Sequence, residues 1–145
     1  MNVDFKRIRE KFLRSKKYWN KVKEIIKKSA EEFEKDLDSQ LIAERIFEIL
    51  SQTILDICTH ILAQSEERAP QSYSDCIKKL GTLGIITSET SEKLVSLIKM
   101  RNIIIYQYGD INYKLLIERM RKLHRNFLMF EKQILDWIQI QEEKK

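Results

Sequence analysis

The chain has 145 residues, 43% of them hydrophobic and 34% charged, which suits one globular domain with a core of its own. We therefore predict a single domain over residues 1–145. Only three glycines and one proline interrupt a sequence rich in Lys, Glu, Leu and Ile, so we expect an all-α protein. The formal net charge of +5 is only mildly basic, which permits an acidic partner such as a nucleic acid without requiring one.

The first 28 residues hold much of the basic excess, with eleven Lys and Arg against three acidic residues. This stretch is a candidate surface for nucleic acid, although the solvated face of an amphipathic helix is the simpler interpretation. The two cysteines lack the spacing of a metal site. We find no apolar stretch of about 18 residues, so no membrane span is expected. The charged N-terminus has no apolar centre of a signal peptide, and we predict a cytoplasmic protein.

Helical periodicity organises the first half of the chain. Apolar residues recur every three or four positions over residues 4–28, which predicts a long amphipathic helix. Ser29 and Glu32 have the spacing of a capping box and predict a new helix start. The helix predicted over residues 41–63 carries the broadest apolar stripe and is expected to be the most buried element.

Helix start and stop signals divide the second half. A short helix beginning at Tyr73 is expected to stop at Gly84, and Thr87 or Ser88 is expected to cap the next helix. That helix should end at residues 109–110, and Asn112 should cap the last one. Five helices result, and they predict an antiparallel up-and-down bundle of four to five helices.

Few side chains have the spacing of a metal or cofactor site. Neither histidine stands in the Glu-x-x-His pattern of di-iron bundles, and no Gly-rich phosphate loop is present. We therefore expect no metal and no cofactor. Asp56 and His60 lie four residues apart on one helix and are expected to hydrogen-bond each other at the edge of the core.

The stretch "MRNIIIYQY", residues 100–108, combines core residues with polar ends. Arg101 and Tyr108 are seven residues apart, so on a helix they lie nearly in line and continue the apolar stripe that includes Leu97. An arginine on that line must reach water or meet an anion. Taken alone, the pattern fits a structural role as well as a functional one.

The stretch resembles the motif of the HEPN superfamily and, within it, of the HepT-like toxins. That motif is Arg, four residues, His, one residue and Tyr, usually with Asn after Arg, at the end of a helix. Arg101, Asn102 and Tyr108 match it, and Tyr106 stands in the place of the histidine. Similarity to the family's helices extends over roughly residues 40–138.

The resemblance implies a metal-independent endoribonuclease that acts as a homodimer, with the motifs of both subunits facing a shared cleft. It assigns candidate catalytic roles to Arg101, Asn102 and Tyr106. It also implies a cognate minimal nucleotidyltransferase (MNT) antitoxin that adds AMP to Tyr108. Because Arg101 and Tyr106 are about 140° apart around a helix, facing helices of two subunits would bring them together better than one helix can.

Because Tyr106 replaces the motif histidine, a function without catalysis is an alternative. A tyrosine has a reference pKa of about 10 and is a poor base at neutral pH, whereas histidine suits proton transfer there. The alternative is therefore a catalytically silent HEPN module that binds a nucleotidyltransferase partner or RNA through Arg101, Asn102 and Tyr108.

Overall fold

A computed structural model of the chain describes residues 3–64, 71–106 and 112–144, with the backbone alone for residues 100–106. These ranges contain helices and connecting turns and no β-strand, which confirms the all-α class. The described helices are α1 (Phe5–Ile26), α2 (Ala30–Glu34), α3 (Leu37–Ala63), α4 (Tyr73–Thr82), α5 (Ser88–Tyr106) and α6 (Tyr113–Glu143).

Helices α1 and α6 run antiparallel along the length of α1. Near the start of α1, the Arg9 guanidinium donates to the Glu142 carboxylate near the end of α6, with 3.0 Å between Nη1 and Oε2. At the other end of α1, Arg121 of α6 donates to the carbonyl oxygens of Ile26 and Lys28, at 3.2 and 2.8 Å. The guanidinium thereby satisfies two carbonyls that the end of α1 leaves free.

Helix α3 also runs against α1. Lys11 lies 3.8 Å from the Asp56 carboxylate near the end of α3, and Lys28 lies 3.5 Å from the Asp36 carboxylate that precedes it. Residue numbers therefore rise along α1 as they fall along α3, as in an up-and-down bundle.

Helix α5 completes the bundle by running against α6. Its N-terminal end lies beside Gln133, whose side chain accepts the Thr87 N–H at 2.9 Å. Farther along α5, Leu97 shares a cleft with Arg119, fourteen residues earlier in α6. The four long helices α1, α3, α5 and α6 therefore alternate in direction, which confirms the predicted up-and-down bundle.

The chain between α1 and α3 is more elaborate than the sequence indicated. The short helix α2 stands by itself, so the described ranges hold six helices where five were predicted, and α3 starts at Leu37, four residues earlier than expected. Asp36 caps α3 by accepting the Ser39 N–H at 3.1 Å. The buried Gln40 amide donates to the Phe33 carbonyl at 2.8 Å, which holds α2 against α3.

The predicted helix caps are present. The Ser29 hydroxyl accepts the Glu32 N–H and the Glu32 carboxylate accepts the Ser29 N–H, both at 3.1 Å, so the capping box starts α2. Asn112 accepts a backbone N–H in the first turn of α6, and Thr87 does the same for α5.

Aromatic rings fill the interface between α1 and α6. The Phe127 ring meets the rings of Phe12 and Trp19 edge-on, with centroid distances of 6.0 and 4.9 Å, a geometry that aromatic pairs favour. The Ser15 hydroxyl, on the same face of α1, is buried but donates to the Lys11 carbonyl at 2.9 Å. One polar gap in the apolar stripe is therefore satisfied within its own helix.

Helix α3 corrects the expectation that no segment could span a membrane. By length and composition Leu37–Ala63 is apolar enough to do so, and 56% of its most apolar window is buried inside the bundle. Its contacts with α1, α4 and α6 account for that burial. No other described helix passes the same test.

His124 is a half-buried ionisable group between α1 and α6. Its ring lies 5.4 Å from the Trp19 ring, centroid to centroid. Burial lowers the pKa of His124 below its ordinary value of 6.5, and the nearby cations Lys23 and Arg125 lower it further. The folded protein therefore holds this proton less tightly than the unfolded chain does.

This depressed pKa predicts a pH dependence of stability. The contribution is fully present above the unfolded pKa and is lost as pH falls through the lower folded pKa. Between about pH 7 and about pH 5, wild type should lose free energy of unfolding, and His124→Gln should lose less because it carries no titrating group there. Urea unfolding monitored by circular dichroism at the two pH values measures the free energy of unfolding of both proteins. Equal losses in the two proteins would contradict the lowered pKa of His124.

Candidate active site

The motif residues lie in the last turns of α5. The backbone at Arg101, Asn102 and Tyr106 is helical, and Tyr106 is the last residue of the helix. The sequence-based expectation that the motif ends a helix holds for these three positions. Their side chains and the whole of Tyr108 lie outside the described residues, so their assigned roles stay predictions.

A polar network fixes the start of α5 on α6. The Gln133 side chain accepts the Thr87 N–H and donates to the Thr90 hydroxyl, both at 2.9 Å. The Thr87 hydroxyl also caps the helix by accepting the Thr90 N–H at 3.1 Å. A single α6 side chain thus engages both residues of the cap.

Close packing fixes the next turn of α5 on α4. The buried Ser91 hydroxyl donates to the Ile77 carbonyl at 3.2 Å. A Cβ atom added at Gly81 would lie 2.9 Å from the Ser91 Cβ, which is closer than two unbonded carbon atoms can pack. Glycine at position 81 therefore allows α4 and α5 to approach this closely. Leu94, Leu97 and Ile98 continue the buried face of α5.

A cationic cleft of about 210 Å³ opens between α5 and α6, just before the motif. We call it the basic cleft. Among the described residues that line it, four are cationic and none is acidic; they are Lys93, Ser96, Leu97, Arg119, Lys122, Arg125 and Asn126. The arrangement concentrates positive charge against a partly apolar wall, where charges act more strongly than in open water.

Arg119 is the buried member of the basic cleft. The residue is 9% exposed, and no described residue hydrogen-bonds its buried Nε atom. Lys93 is partly neutralised, since its Nζ lies 2.9 Å from the Glu89 carboxylate. Because an unsatisfied donor on a largely buried cation is costly, Arg119 is the lining residue that would gain most from an anion.

The basic cleft lies one helical turn before the motif. Leu97 and Arg101 are four residues apart on α5, which corresponds to about 6 Å along the helix axis. The backbone position of Arg101 is therefore next to the cleft, on the side toward the end of α5.

Sequence reasoning missed the basic cleft. The signal was present, since Arg119, Lys122 and Arg125 recur every three residues and so lie along one face of α6. The sequence instead indicated the basic first 28 residues as the candidate surface for nucleic acid. In the structure several cations of that helix pair with acids, for example Arg9 with Glu142 and Lys21 with Glu24.

The predicted hydrogen bond between Asp56 and His60 is wrong. The Asp56 carboxylate accepts from the Gln52 amide at 2.9 Å, and His60 Nε2 accepts the Asp4 N–H at 3.2 Å. His60 lies where α3 ends and α1 begins, which is the end of the bundle opposite to the motif of the same chain. It therefore cannot supply the base missing at position 106 within one protomer.

Across the described parts of the chain, no group of three or more His, Cys, Asp or Glu side chains is arranged to hold a metal ion.

An alternating helical bundle with an Arg-Asn pair and a tyrosine in the last turns of α5 is the arrangement expected of an HEPN-type domain. The model of the Ribonuclease HepT-like family matches residues 15–134. The match spans most of the chain, and the chain belongs to that family.

Two curated relatives are ribonucleases. The tRNA nuclease HepT of Aphanizomenon flos-aquae is 25% identical over 96 residues, which are 66% of this chain and 65% of the relative. The mRNA nuclease HepT of Shewanella oneidensis is 27% identical over 79 residues, 54% of this chain and 59% of the relative. The matched segments thus span about three-fifths of the length of these relatives.

A solved structure shares the fold. The tri-AMPylated HEPN toxin of Shewanella oneidensis in complex with its MNT antitoxin superimposes with a TM-score of 0.73 at 22% sequence identity. The alignment covers 92% of this chain and 96% of that one. At this identity the likeness establishes the fold.

The contact between α4 and α5 gives a testable prediction about the support of the motif. Gly81→Ala should lower the free energy of unfolding by about 1–3 kcal/mol, because the added methyl overlaps the Ser91 side chain. Adding Ser91→Gly removes that overlap, so the double variant should lose less than the sum of the single losses, by at least about 0.5 kcal/mol. Urea denaturation of the four proteins gives this coupling.

Gly84→Ala is the matched control. Gly84 has φ +75° and open space around its Cα, so alanine there is strained by its backbone and not by Ser91. Its cost should simply add to that of Ser91→Gly. The same coupling at both glycines would refute the steric account.

Proposed function

We propose that the chain is a HepT-like endoribonuclease toxin of a toxin–antitoxin pair. The observation that carries this proposal is the family match over residues 15–134, which includes the motif at the end of α5. The two ribonuclease relatives support an RNA substrate. Since one is named for tRNA and the other for mRNA, they leave the RNA class open.

Arg101 is proposed to bind the scissile phosphate. RNA cleavage without a metal starts when the ribose 2′-oxygen attacks phosphorus, and negative charge builds on the phosphate oxygens. A guanidinium is permanently charged and offers two parallel donors to those oxygens. Asn102, the next residue, is proposed to add an uncharged amide donor to the same group.

Tyr106 is proposed to act in proton transfer in the place of the family's histidine. A neutral phenol can donate a proton to the leaving 5′-oxygen, but it accepts the 2′-hydroxyl proton poorly near neutral pH. Cleavage by wild type should therefore be slow compared with that by a motif containing histidine.

Tyr108 is proposed to be the regulatory residue. We propose an MNT-type nucleotidyltransferase as its partner, and support comes from the AMPylated toxin–antitoxin complex that shares this fold. In the transfer, the Tyr108 phenolic oxygen bonds to the α-phosphorus of ATP, pyrophosphate leaves, and the phenolic proton passes to solvent or to a base of the partner. A bulky anion on Tyr108 would then repel an RNA strand at the motif.

A homodimer is proposed as the active form, because Arg101 and Tyr106 diverge around one helix and would meet better across two subunits. We place its action in the cytoplasm, where tRNA and mRNA are found. No membrane role is proposed for α3, whose apolar face is used in the bundle.

A second candidate function follows from Tyr106. The chain would be a catalytically silent HEPN module that binds the nucleotidyltransferase or RNA through Arg101, Asn102 and Tyr108. The specific observation in its favour is the missing histidine, because general acid–base catalysis contributes roughly 10²–10⁴ to the rate.

RNA cleavage by wild type, Arg101→Ala and Tyr106→His separates the two functions. The toxin proposal expects slow cleavage by wild type, loss of cleavage in Arg101→Ala, and a gain of roughly 10²–10⁴-fold in Tyr106→His. Single-turnover cleavage of end-labelled RNA, with chelator present, measures all three.

Matched substitutions away from the motif serve as controls. Arg45, with 68% of its side chain exposed, and Tyr73, 56% exposed, lie on other helices. Arg45→Ala and Tyr73→His should cleave like wild type. If wild type is inactive and only Tyr106→His cleaves, the silent-module function is correct and the toxin proposal fails.

A further inference from the structure

We propose that the basic cleft between α5 and α6 is a second phosphate site, which holds one backbone phosphate of the RNA strand next to the scissile position. The inference rests on the proposed function, because it assumes that RNA is the ligand of the motif at the end of α5. It adds Arg119, Lys122 and Arg125 to the residues that contact the strand.

Arg119 is a largely buried cation with an unsatisfied donor. The residue is 9% exposed and therefore about nine-tenths buried, it lines the cleft, and no described residue hydrogen-bonds its Nε. An unpaired donor on a buried cation is unfavourable for the folded protein. A phosphate oxygen would satisfy this donor and balance the charge at once.

The other described lining residues of the cleft are mostly groups that can donate hydrogen bonds. Lys122 and Arg125 are exposed cations on the α6 side, and Ser96 and Asn126 add a hydroxyl and an amide that can donate to an oxygen anion. None of the described lining residues carries a carboxylate. Such a ring of donors selects an anion over a cation or a neutral group.

The size of the cleft fits a small anion. Its volume of about 210 Å³ lies below the roughly 300–1,000 Å³ of a pocket that encloses a small molecule. It suits one phosphate group rather than a whole nucleotide. It is also open at the surface, with Lys122 and Arg125 exposed, so a strand can pass over it while a phosphate enters.

The cleft lies close to the motif along α5. It ends at Leu97, about 6 Å of helix before the backbone of Arg101, which is comparable to the separation of neighbouring phosphates in a strand. A strand with its scissile phosphate at Arg101 would therefore bring an adjacent phosphate to Arg119. The two sites together would set which phosphodiester bond meets the motif.

RNA binding by charge-matched double variants tests the proposal. Lys122→Gln/Arg125→Gln removes two exposed cations from the cleft, and Lys27→Gln/Lys78→Gln removes two exposed cations from α4 and the end of α1. The probe is a fluorescent single-stranded RNA carrying 2′-O-methyl groups, which prevent cleavage through the 2′-oxygen. Fluorescence anisotropy is recorded over a range of salt concentrations.

The cleft variant should bind this RNA at least about tenfold more weakly than wild type, since a charge-assisted hydrogen bond contributes at least that factor. Its plot of log affinity against log salt should be shallower by about 0.7, the value for one lost single-strand phosphate contact. The control pair should change both quantities much less. Arg119→Gln, if it folds, should repeat the result of the cleft pair.

Three outcomes would overturn the proposal in different ways. If the cleft pair and the control pair weaken RNA binding equally, the cleft is not a phosphate site, and the proposed function stands. If the cleft pair weakens binding of the purified nucleotidyltransferase and not of RNA, the cleft is a protein-docking surface. If wild type binds no RNA and cleaves none, both this proposal and the proposed function fail.

Discussion

The packing of α5 against α6 is the constraint on which the candidate site depends. Gln133 fixes the cap of α5, and Ser91 meets α4 at a point where only glycine leaves room. These contacts lie in the first turns of α5, whereas the motif lies in its last turns. Because a helix is stiff over this length, anchoring its start also sets where its end is presented.

The same packing holds several positive charges close together. Three cations line one face of α6, and no described residue hydrogen-bonds the Nε of the most buried one, Arg119. Natural proteins usually satisfy buried polar groups, and exceptions concentrate at functional sites. The rest of the molecule can tolerate the cost because its core is extensive, with the rings of Phe12, Trp19 and Phe127 joining α1 to α6.

Much of the fold could be predicted from the sequence because it depends on local signals. The apolar period of each long helix, the capping box at Ser29 and the Asn112 cap are local patterns, and all three are present. The separate helix α2 was missed because it is held by the amide of Gln40, a contact that no local pattern indicates. The expectation that no stretch is apolar enough to span a membrane was wrong for α3, but its composition alone does not say that 56% of the apolar window is buried inside the bundle.

The candidate site was only half accessible to sequence reasoning. The motif is contiguous, so Arg101, Asn102, Tyr106 and Tyr108 could be named from one stretch of the chain. The basic cleft combines Lys93 with residues of α6 that come 26 or more positions later, and only tertiary packing joins them. The pairing of Asp56 with His60 failed similarly, because each found a better partner elsewhere.

The most direct measurement of the central claim is a crystal structure of the protein with 2′-O-methyl RNA. The account predicts a strand that crosses from the end of α5 to the basic cleft, with one phosphate oxygen within hydrogen-bonding distance of Arg119 Nε and another phosphate at Arg101. A strand bound along the basic face of α1, with no phosphate in the basic cleft, would contradict it.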